Sequence, residues 1–199
     1  MDLSFIEPKP VLIVVHLLGL ALGVGGAIMS DFVFFRVIQD TEVSPAEMDF
    51  LTLAGRCVTG GLVILVLSGA ALFSLDPAHY LASAKFLVKM TIVLVLIGNG
   101  ILFHVVHLPY LRRAMRGETS LFLIFAKYRW IFLGSGVVSI VSWVSALVLG
   151  VFKTIPLPYE TILGGYGAML MMGLFVAYLL RDTLLPIREN TENASEIWR

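Results

Sequence analysis

Charge is what this sequence has least of. Only 14% of its 199 residues are Asp, Glu, Lys or Arg, against roughly a quarter in a soluble domain, so water is a poor solvent for most of its folded surface. The 14 basic and 14 acidic residues cancel, and a chain without net positive charge lacks the electrostatic footprint of a nucleic-acid binder. Cysteine is almost missing. Cys57 stands alone, which excludes a disulfide within the chain and any Cys-x-x-Cys redox or zinc motif. No P-loop, GxSxG or HExxH pattern is present. The residues before the first apolar run include no basic n-region, and that run is too long for a signal peptide. It reads as a retained membrane span.

Apolar residues are what fill the chain. They make up 58% of it, and the mean hydropathy is +0.93. A helix needs about 20 apolar residues to cross a bilayer. Five stretches qualify, near 11–38, 51–75, 85–108, 128–152 and 160–181. The expected fold is an all-α integral membrane bundle of five transmembrane helices. Residues 1–186 form one domain, and 187–199 a polar cytoplasmic tail. Ser44-Pro45-Ala46-Glu47 reads as the start of the second helix, with Ser44 as cap and Pro45 in the first turn.

Orientation follows from Lys and Arg. Arg36, Arg56, Arg112, Arg113, Arg116, Lys127, Arg129, Arg181, Arg188 and Arg199 fall on one side, ten of the 14 basic residues. That side is expected to be the cytoplasm, with the N-terminus outside and the C-terminus inside. The Asn193-Ala194-Ser195 acceptor pattern is discounted on that topology.

Ionisable groups inside apolar helices point to function. His16 lies about five residues, roughly 8 Å, below the outer end of the first helix. Lys89 lies at similar depth in the third. His16 shares a face with Gly19, Gly23, Gly26 and Ser30. A flat glycine face admits either a neighbouring helix or a porphyrin plane, and neutral imidazole ligates haem iron or copper. Lys89 is a second ligand when deprotonated, or a partner for an anionic group. Asp31 and Arg56, deep in the first two helices, are expected to form a structural ion pair, with Arg36 as a competing partner for Asp31. His104 and His107, spaced i and i+3, are candidates to share a metal. The serine and glycine stripe of the fourth helix reads as a packing seam, and Met169, Met171 and Met172 as bundle filling or Cu(I) ligands.

The order His16-x2-Gly19, Gly25-Gly26, Leu67-Ser68-Gly69-Ala70-Ala71-Leu72, Lys85-x3-Lys89, Asn99 and Leu108-Pro109-x-Leu111-Arg112 resembles the membrane domain of bacterial copper-resistance D-type proteins, over about residues 11–150. The same frame is similar to the four-helix, haem b-binding membrane protoporphyrinogen oxidase family. That resemblance implies a haem ligand at His16 and a site lysine at Lys89. The chain departs from it where the second helix-three histidine falls on Asn99, and in having a fifth helix.

The implied protein sits in the bacterial inner membrane. It carries haem b near the outer leaflet for electron transfer or oxidation of a lipid-soluble substrate, as a membrane oxidoreductase. Two alternatives stand beside it, copper handling or transport along His16, Met29, the helix-five methionines, His104 and His107, and a non-catalytic scaffold or anchor subunit. The expected partners are the bilayer and a redox protein or a second copy of the chain.

Overall fold

A computed structural model describes residues 7–40 and 43–181. The tail from 187, with the acceptor pattern at Asn193, lies outside the described residues. All regular structure among those described is helical: α1 (Pro8–Asp40), α2 (Pro45–Leu75), α3 (Pro77–Leu81), α4 (Ala84–Leu102), a π-helical turn (Phe103–His107), α5 (Leu108–Met115), α6 (Leu121–Val151) and α7 (Tyr159–Leu179). Five spans are long and apolar enough to cross a membrane, the third running unbroken from α4 through the π turn into α5. In lipid every backbone polar group must bond within its own segment, and helices satisfy that demand. The protein is an all-α, multi-pass membrane bundle.

Most helix boundaries follow from local chemistry. The Ser44 hydroxyl accepts from the Glu47 amide, and the Glu47 carboxylate accepts from the Ser44 amide, closing a capping box behind Pro45. Ser83 caps α4 through the Phe86 amide. Gly117, at φ +71°, ends α5. Its amide bonds the Ala114 carbonyl and the Glu118 amide bonds that of Arg113, the paired bonds of a Schellman turn. The span expected at 128–152 is found at Lys127–Val151. Two features go beyond the sequence expectation: α6 extends ahead of that span to Leu121, and the short α3 precedes α4.

α1 and α2 are the most closely apposed pair, because glycines remove the side chains between them. A Cβ on Gly61 would lie 2.5 Å from the Gly23 amide nitrogen and 2.7 Å from the Gly19 carbonyl. One on Gly26 would lie 3.0 Å from the Ala54 carbonyl. Outside this seam two apolar clusters hold the bundle. Val88, Ile92 and Trp143 centre one, and Val37, Leu51, Leu111 and Phe132 the other. The second lies on the arginine-rich side. Large apolar side chains such as Leu94, Phe32 and Met172 face outward, as a lipid solvent permits.

Candidate functional site

The His16 ring lies against Gly69 of α2, and Lys89 is within electrostatic range of it. The His16 Nδ1 is 2.9 Å from the Ser68 hydroxyl. That hydroxyl gives its single proton to the Ile64 carbonyl at 2.6 Å, so Nδ1–H is the donor and Nε2 keeps the lone pair. The Lys89 amine lies against Gly150 of α6. One turn earlier, Lys85 donates to the Phe152 and Lys153 carbonyls at 2.6 and 3.0 Å. It caps the C-terminal end of α6, where cations are stabilising.

The glycine face of His16 holds protein instead of an open slot. Gly19 faces Ile64, Gly61 and Leu65 of α2, and the Trp143 ring of α6 sits where a Gly23 side chain would begin. Gly19 and Gly23, expected to line a cofactor, are packing positions. Small residues let helices approach closely in lipid, and these two are used that way. A porphyrin plane does not fit on that face.

The other sequence candidates resolve differently. The expected Asp31–Arg56 ion pair does not form among the described residues. Arg56 is exposed, and Arg36 reaches Glu47 at 3.9 Å. His104 and His107 do not converge, because the π turn alters their phase and each lines a different cavity. The His104 ring bonds the Thr59 hydroxyl at 3.0 Å. No group of three or more His, Cys, Asp or Glu side chains suited to a metal occurs among the described residues. Met29, Met169, Met171 and Met172 are exposed on the outer surface, so they mark no path through the interior. The α6 serines do form a seam. Ser135 bonds Asn99 at 2.9 Å, and Ser142 bonds the Tyr166 hydroxyl at 2.8 Å.

The arrangement with most chemical capacity lies in the arginine-rich half. A cavity of about 210 Å³ opens between α1, the π turn, α6 and α7. Phe34, Phe35, Phe103 and Phe132 line it, with Asp31 and His107 as its ionisable groups. His107 is 3% exposed, and neither ring nitrogen has a hydrogen-bond partner. The Ile131 backbone lies close without hydrogen-bond geometry. One Asp31 carboxylate oxygen is also fully buried and unpartnered. A smaller cavity of about 60 Å³ adjoins, sharing Ser30, Asp31, Phe103 and Ser135.

The π turn creates this convergence. The Leu108 amide bonds the Phe103 carbonyl, five residues back. Such single turns mark functional sites in many helices. The pairing of Asp31 with His107 was within reach of the sequence. α1 and α4 run the same way, and the two residues precede Asp40 and Met115 by nine and eight positions. The depth matching applied to His16 and Lys89 picks out these two as well. Comparison with family models, curated proteins and solved structures gives no match.

Proposed function

We propose that this chain is a bacterial inner-membrane protein, N-terminus outside and C-terminus cytoplasmic, that takes a small lipid-soluble molecule into the Asp31–His107 cavity. The observation that carries this reading is a buried His107, neither ring nitrogen of which has a hydrogen-bond partner, on one apolar wall with a half-buried Asp31 that has one buried, unpartnered carboxylate oxygen. Such groups are costly in a bilayer and are retained where they contact substrate, ion or cofactor. A largely apolar pocket with a few converging polar groups has the usual make-up of a small-molecule site. Ile140 and Val176 line the cavity and are also exposed on the outer surface, which supports entry sideways from lipid. The test is native mass spectrometry of the protein in nanodiscs, with Ala177→Trp as a cavity-filling variant. A co-purifying small molecule lost in that variant is the expected result. Identical spectra for the two proteins would count against the reading.

A second reading rests on the His16 tautomer. With Nδ1 bonded to Ser68, Nε2 presents a lone pair suited to an iron or copper ion. Haem b would then be held against the outward edge of the imidazole, off the glycine face, for electron transfer or oxidation of a lipid-soluble substrate. Expression with haem supplementation tests this. The expected result is a Soret band that His16→Ala removes, and a colourless protein overturns it.

A further inference from the structure

We propose that the ligand of the Asp31–His107 cavity is a lipophilic organic cation, an inference that rests on that cavity being a small-molecule site.

Three observations carry it. First, the Asp31 carboxylate has no ion-pair partner among the described residues. No Lys or Arg lines either cavity among the described residues, Arg36 reaches Glu47, and Arg56 is exposed. One of the Asp31 oxygens is buried without a partner; an uncompensated charge there is unfavourable, and a bound cation offsets that cost. Second, four phenyl rings share the wall with it. Phe34 and Phe132 are stacked, with centroids 5.3 Å apart, and Phe132 also packs on the His107 ring. Aromatic faces attract alkylated ammonium groups, most strongly where water is excluded. Third, the wall suits neither an anion nor a bare metal ion. Ser135 commits its hydroxyl proton to Asn99, so fixed donors are few, and no three metal-ligating side chains converge among the described residues.

These features select a positively charged, mostly apolar molecule small enough for about 210 Å³. The carboxylate neutralises its charge, and the rings cover its alkyl or aryl surface. His107 supplies one neutral polar contact.

Benzyltrimethylammonium and its uncharged carbon isostere, neopentylbenzene, separate charge from shape. Binding of each to the full chain in nanodiscs is measured by equilibrium dialysis, alongside Asp31→Asn, Phe103→Leu and Ala177→Trp. Native binding should favour the cation by about tenfold or more. Asp31→Asn should erase that preference while leaving the isostere bound. Phe103→Leu should weaken the cation more than the isostere. Ala177→Trp should abolish both. Equal binding of both compounds, lost in Ala177→Trp, would overturn the cation and leave the cavity site standing. Cation preference surviving in Asp31→Asn would also overturn it. If neither compound binds native protein and Ala177→Trp changes nothing, the cavity site falls with it. Thermal melting of each variant shows that it is folded.

Discussion

Gly61 has no room for even one more carbon. The atoms a methyl group would strike belong to the α1 backbone and cannot rotate away. Gly61→Ala is therefore expected to lower stability by about 1–3 kcal/mol, the usual cost of overpacking. Gly98→Ala and Gly134→Ala, which meet open space, should fall within a few tenths of a kcal/mol of the native protein. Unfolding in mixed micelles measures all three. Ser68→Ala tests a different scale of effect. Interhelical hydrogen bonds in membranes average about 0.6 kcal/mol, so loss of the His16 contact should be small in stability. If His16 ligates haem, its larger effect is on the spectrum, since the ring is no longer held in one tautomer. At this scale the sequence was partly legible. His16, Lys89, Asp31 and His107 all announced themselves as ionisable residues in apolar surroundings. Their partners did not, because a hydrogen bond such as His16–Ser68 depends on helix rotation, and an almost uniformly apolar helix carries little periodic signal to fix that rotation. The glycine stripe was visible, but it fits a helix and a porphyrin equally until the neighbour is known.

Element starts were legible where a side chain makes the cap. Ser44, Pro45 and Glu47 mark the start of α2, and Ser44→Ala is expected to cost about 0.5–2 kcal/mol. Hydrogen exchange should show the loss as fraying of the first turn of α2. The end of α6, expected near 152 and found at Val151, followed from apolar length, but what caps it was not legible. Its carbonyls are capped from α4, across 67 residues of chain, by Lys85. Lys85→Met should cost about 0.3–1 kcal/mol and raise amide exchange at 150–158, with Lys89→Met leaving that segment unchanged. The onset of α6 at Leu121 follows Ser120, a residue of the capping type whose carbonyl accepts from the Ile124 amide, which the sequence reading did not single out.

The bundle is unevenly dense across its thickness. Glycine contacts and Trp143 close the N-terminal half of the α1–α2–α6 packing, whereas both described cavities lie toward the arginine-rich half. Five spans place the two ends of the helical region on opposite faces of the membrane. Single-cysteine variants in a Cys57→Ala background check the proposed direction. Cysteine at Thr154 is expected to react with a membrane-impermeant maleimide in intact cells, and cysteine at Thr119 only after permeabilisation. The π turn matters at this scale too. The wide turn takes up one residue more than an α-helical turn holds, so deleting Val105 alone is expected to restore an ordinary α-helical repeat while the helix beyond keeps its facing, with Leu108 and Leu111 still buried. Deleting one residue from the regular helix before it, at 92–96, would instead rotate everything beyond by about 100°. A codon lost at the wide turn is absorbed; one lost a few residues earlier unseats the whole cytoplasmic collar.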